Sequence, residues 1–132
     1  MSPKVATQAA RWIGLLLAVI GLLGFMNNPV IGPNAAIEAD FAQNVAHLVV
    51  GLYLFGISFT GESGSAFSLY IAAAVCLLFA GVAYSELGSF ERGFLWNATW
   101  ANRTGIYFHA GMAVLMALCG KMNTASKQLF YN

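Results

Sequence analysis

The sequence predicts an all-α membrane protein, a four-transmembrane-helix bundle forming one domain over residues 1–132, with the N and C termini cytoplasmic. Three observations predict it. First, 59% of the residues are hydrophobic and only 8% charged, against about 25% charged in soluble domains. Second, the charges leave four uncharged stretches, 12–26, 41–59, 66–84 and 104–120. A helix rises about 1.5 Å per residue, so a run of roughly 19 residues covers the hydrocarbon core. Third, the basic residues are unevenly shared. Lys4, Arg11, Lys121 and Lys127 fall on one side with Glu62, whereas Arg92 and Arg103 fall on the other with Glu38, Asp40, Glu86 and Glu91. The positive-inside rule puts the first side in the cytoplasm.

Span 1, about 8–26, has the basic flank and apolar run of a signal peptide. No clear A-x-A site follows it, so it is expected as a retained span. Gly14, Ala18 and Gly21 share one of its faces, and small residues let helix backbones approach in lipid. The loop "NNPVIGPNAAIEAD" ends in Asp40, which can cap span 2 (41–59), with Gln43 three residues later as in a capping box. The polar, glycine-rich "TGESGS" (60–65) predicts a tight antiparallel hairpin between spans 2 and 3. Span 3, 66–84, carries Ser68, Ala72, Cys76 and Ala80 at four-residue spacing, a second packing stripe. The loop over 85–103 holds Phe90, Phe94, Trp96 and Trp100 and is expected along the membrane surface, with a short interfacial helix. Its N-x-T triplets at Asn97 and Asn102 match a glycosylation pattern of low specificity. Span 4 runs over about 102–121, and the stems of Arg11 and Lys121 can snorkel at the ends of their helices.

The only two histidines, His47 and His109, each lie one to two turns inside an apolar span that starts on the non-cytoplasmic side. They should share a depth. Asn44, Gly51, Phe55 and Ser58 recur on the face of His47, and Gly105, Ala113, Met116 and Gly120 on that of His109. An unpaired polar group in hydrocarbon costs several kcal/mol, so both imidazoles are expected to face inward. Aligning His47 with His109 also sets Asp40 opposite Asn102 and Gly51 opposite Ala113, a faint repeat of two-helix units. The first expectation is a pair of neutral histidines hydrogen-bonding between helices, oriented by Asp40, Asn44 or Asn102, with no cofactor. The alternatives are a b-type haem with His47 and His109 as axial ligands, Gly51 and Ala113 making room and Arg103 meeting a propionate; a chlorophyll-type pigment on one histidine; or a proton relay. A two-histidine zinc site is not expected, because catalytic zinc takes three protein ligands.

Other function classes are disfavoured. A net charge of +1 without a basic cluster excludes nucleic acid as an expected partner. Cys76 and Cys119 sit inside spans and form no C-x-x-C pair. No nucleophile elbow, P-loop or H-E-x-x-H occurs, and the spans hold no carboxylate. Neither an isolated enzyme nor an ion-coupled transporter is expected.

"GLLGF" (21–25), a Pro/Gly loop and then "QNVAHLVVGLYLF" (43–55) resemble an uncharacterised family of small bacterial four-helix membrane proteins. That family carries Asn-x-x-His-Leu-x-x-Gly at the start of its second helix, here Asn44, His47, Leu48 and Gly51. The resemblance covers most of the first half. At the second histidine, Ile106 stands where the first repeat has Asn44, and Ala110 and Gly111 follow His109. The resemblance implies the fold and the histidine positions only. Together these readings predict a multi-pass accessory or assembly subunit of a larger respiratory or photosynthetic-type complex. It would sit in a bacterial inner or photosynthetic membrane, in contact with lipids and other membrane-protein subunits.

Overall fold

The computed structural model describes residues 5–32, 35, 37–39, 41–86 and 103–128. The chain folds as α1 (Val5–Gly24), β1 (Ile31–Gly32), β2 (Ile37–Glu38), α2 (Phe41–Ile57), α3 (Glu62–Glu86) and α4 (Arg103–Gln128). It is an all-α bundle. Within α1, α3 and α4 the stretches Val5–Gly24, Glu62–Tyr84 and Gly105–Met122 are long and apolar enough to cross a membrane, and α2 is a shorter apolar helix of 17 residues.

The expected hairpin between the second and third helices is only half right. The connection is even tighter than "TGESGS" implied, because α3 already begins at Glu62. A first-turn carboxylate suits a helix N-terminus, and the Ser65 amide and hydroxyl both donate to Gly61 O, at 3.1 and 2.8 Å. Gly61 itself takes φ +124°, a backbone conformation open to glycine. Yet α2 packs mainly on α1, and α3 mainly on α4, with α1 providing most of the contact between the two pairs.

Glycine explains the first pair. A Cβ on Gly14 would stand 2.5 Å from Phe55 N and 2.7 Å from Gly51 O, and one on Gly21 would stand 2.5 Å from Leu48 N. One on Gly51 would collide with Ala18 N. The two backbones therefore touch along Gly14, Ala18 and Gly21, the stripe visible in the sequence. The remaining core is built from Ala6, Ala10, Ile13, Leu17, Leu54, Ala66, Leu69, Ala72, Ala73, Met112, Ala113 and Met116. Ser68, Ala72 and Ala80 of the α3 stripe are buried, while Cys76 is half-buried.

Polar contacts lock both ends, long-range at one and local at the other. Glu62 is buried and reaches back to the start of α1. Its Oε1 accepts from Ala6 N at 2.9 Å, and its Oε2 accepts from Thr7 N at 3.2 Å and Thr7 Oγ1 at 2.6 Å. It satisfies amides that a helix N-terminus leaves without partners. Beside it the Arg11 guanidinium lies over the Phe59 ring, 4.7 Å from the centroid. At the other end Asn28 organises the loop after α1: Nδ2 donates to Leu23 O, Met26 O and Ile31 O, and Oδ1 accepts from Val30 N and Ile31 N. This loop joins α1 to α2. It contains a minimal parallel ladder, Ile31 opposite Ile37 and Gly32 opposite Glu38, with Gly32 at φ +140°. The capping role of Asp40, the surface loop with Phe90, Phe94, Trp96 and Trp100, the triplets at Asn97 and Asn102, and the side chain of Arg103 lie outside the described residues.

Candidate functional site

α2 and α4 do not pack backbone to backbone; side chains fill the space between them. His47, in the second turn of α2, and His109, in the second turn of α4, meet there. Their ring centroids are 5.7 Å apart and their planes differ by 11°. Phe79 of α3 lies nearly parallel to His109 at 5.9 Å. The Phe108 ring stands edge-on to both imidazoles, 6.2 Å from His47 and 5.6 Å from His109. The expectation that the two rings share one depth and face inward describes this arrangement.

Their polar partners differ from the expectation. His109 Nδ1 lies 2.7 Å from Gly105 O. A carbonyl only accepts, so Nδ1 carries the proton and Nε2 of the neutral ring keeps its lone pair. His47 Nδ1 is buried and has no hydrogen-bond partner. Asn44 does not orient it. The Asn44 amide points at α1, where Nδ2 donates to Gly24 O at 2.8 Å and Oδ1 is buried without a partner. A helical face wide enough to hold Asn44 and His47 together is also wide enough to serve two different neighbours, and here it does. The second candidate orienter, Asn102, and Asp40 lie outside the described residues.

A small, partly open space of about 40 Å³ adjoins the imidazoles, lined among others by Gln43, His47, Cys76, His109 and Met112. A cavity needs about 10–15 Å³ of such volume to hold one water, so the space has the size of a few waters and not of a macrocycle. A porphyrin does not fit. Both flanks of His109 are already packed by aromatic or imidazole rings. Gly51, expected to make room below His47, is instead pressed against Ala18 of α1, and Ala113 is buried in the core. A second, more open cleft of about 380 Å³ lies at the end of α1, lined by residues that include Phe25, Asn28, Gly32 and Asn44. No titratable side chain lines it among the described residues.

Sequence reasoning missed Phe79, Phe108 and Met112. For two of them a signal existed: Phe108 precedes His109, and Met112 follows it by three residues, one turn along the same side of α4. Nothing local marks Phe79, which arrives from another helix. No family model matches the chain, and comparison with curated proteins and with solved structures finds no match.

Proposed function

We propose that this chain is a four-span accessory or assembly subunit of a larger respiratory or photosynthetic-type membrane complex, acting by helix packing. Its termini would be cytoplasmic, in a bacterial inner or photosynthetic membrane. The carrying observation is the division between outside and inside. Trp12 and Leu16 on α1, Val49 and Leu52 on α2, Leu77 and Leu78 on α3, and Val114 and Leu118 on α4 all face outward. The interior is packed largely by small residues, with a space of about 40 Å³ beside the histidines. Such a surface is suited to acyl chains and neighbouring helices. α2 supplies the fourth crossing: its 17 residues meet the lower limit of about 17 for a spanning helix. The resemblance of the first half to small four-helix bacterial membrane proteins supports the same reading, as does the excess of basic residues on the side of the termini.

Blue-native electrophoresis of gently solubilised membranes tests it. The chain should migrate within a much larger assembly. Migration as a lone 14.1 kDa species plus detergent would overturn the proposal. A reduced-minus-oxidised spectrum of the same material should show no b-type band, in keeping with the small space at the histidines. Extraction of a pigment would instead support a pigment-associated subunit.

A further inference from the structure

We infer that Arg11 binds the phosphate group of one anionic phospholipid at the end of the bundle where α1 begins and α2 ends. The inference rests on the membrane-spanning part of the proposed function and adds a ligand to it.

The guanidinium is held ready for such a group. Its Nε lies 3.5 Å from Ser58 Oγ. Ser58 spends its own proton on Phe55 O at 2.6 Å, so its oxygen accepts from Arg11. The Phe59 ring covers one face of the guanidinium at 4.7 Å, and Phe55 braces that ring edge-on at 5.3 Å. A guanidinium has five N–H donors, and among the described residues only the one on Nε is engaged. The edge formed by Nη1 and Nη2 remains, a planar fork that matches two phosphate oxygens. Glu62, the acid at this end of the bundle, is committed elsewhere. Both of its oxygens accept from the start of α1, and no ion pair joins it to Arg11 among the described residues.

The level and the surroundings select a lipid. α2 has 17 residues and rises about 25 Å, so a spanning α2 brings its last turn to the edge of the hydrocarbon core, where lipid phosphates begin. Ser58 and Phe59 follow that last turn. Leu15, four positions after Arg11, and Leu22, seven further on, share its side of α1 and are exposed. They continue an apolar track from the guanidinium toward the bilayer centre, as an acyl chain continues from its headgroup. Trp12, also exposed, carries an indole of the kind that favours the headgroup level. Charge narrows the lipid class. A zwitterionic headgroup compensates its phosphate with its own ammonium, whereas phosphatidylglycerol leaves a net negative charge for Arg11 to meet.

The test is native mass spectrometry of the full-length protein in detergent, titrated with dioleoylphosphatidylglycerol or dioleoylphosphatidylcholine. One phosphatidylglycerol per chain should be retained over phosphatidylcholine by about fivefold. Arg11→Gln should abolish that preference, while Lys121→Gln, which removes the same charge at the same end of the bundle, should keep it. Excess inorganic phosphate should not displace the lipid. Four outcomes would overturn the site: equal retention of the two lipids by the wild type, an undiminished preference in Arg11→Gln, an equal loss in Lys121→Gln, or displacement by inorganic phosphate, which would mean a free-anion site. If Arg11→Gln misfolds, Phe59→Leu decides, because loss of the ring under the guanidinium should lower the preference and an unchanged preference would overturn it. Alkaline carbonate extraction of the membranes tests the spanning reading separately. Release of the chain would overturn that reading, whereas a retained chain without lipid preference overturns the site alone.

Discussion

Replacing Gly51 by alanine adds one methyl group at the place where α1 and α2 are closest. The new Cβ would stand 2.7 Å from Gly14 O and 2.8 Å from Ala18 Cα, and nearer still to Ala18 N. Ordinary van der Waals contact begins at 3.4 Å. All three obstacles are backbone atoms, so no rotamer change relieves the clash and the helices must move apart. Overpacking of this kind costs about 1–3 kcal/mol. Gly56→Ala is the matched control, because its Cβ meets nothing within 4 Å. There the lower backbone entropy of alanine should stabilise the helix, by about 0.5–1 kcal/mol on the scale measured in water. That gain applies equally at Gly51 and cancels, so the two variants should differ by the overpacking cost of about 1–3 kcal/mol. Equilibrium unfolding in mixed micelles, followed by circular dichroism over a rising fraction of denaturing detergent, measures that difference. Equal midpoints for Gly51→Ala and Gly56→Ala would refute the claim that glycine sets the α1–α2 distance.

Glu62→Gln should weaken the cap on α1 by about 1.5–3 kcal/mol, the range for hydrogen bonds to a charged group. Hydrogen exchange at the Ala6 and Thr7 amides should accelerate; unchanged exchange there would sink the assignment. Tyr53 Oη and Ser68 Oγ lie 2.9 Å apart between α2 and α3. A double-mutant cycle with Tyr53→Phe and Ser68→Ala should return a coupling of about 0.6–1.7 kcal/mol, and additive effects would show that the bond contributes nothing. Asn28→Ala removes the side chain that five loop bonds share. It should speed proteolysis between residues 25 and 32 while leaving the helical signal intact. Wild-type cleavage rates would argue that the loop holds its shape without Asn28.

Much of this architecture can be read from the order of residues. Each uncharged stretch falls largely within one of the four helices, and Gly14, Ala18 and Gly21 at that spacing announce a close helix–helix contact. The common depth of His47 and His109 follows from both helices starting at the same end. Periodicity gives a face, however, and not the neighbour on that face. Asn44 was expected to serve His47 and instead holds Gly24. Gly51, which only the haem alternative set beneath a ligand, meets Ala18. Glu62 looked like one acid in a polar turn, yet its partners lie more than fifty positions earlier, at |i−j| of 55 and 56. Only tertiary folding brings such groups together. Helix ends shifted for a related reason: the first turn of α3 is polar, so a hydrophobicity boundary placed it outside the helix.

The pairing of α1 with α2 and of α3 with α4 bears on how the chain is made. Each helix finds its main companion in the segment synthesised immediately before or after it, so contact order within each pair is low and assembly of a hairpin need not wait for the rest of the polypeptide. The amino-terminal hairpin can close as soon as both of its helices have been synthesised. The Glu62 carboxylate, arriving with the first turn of the next hairpin, then secures it from behind.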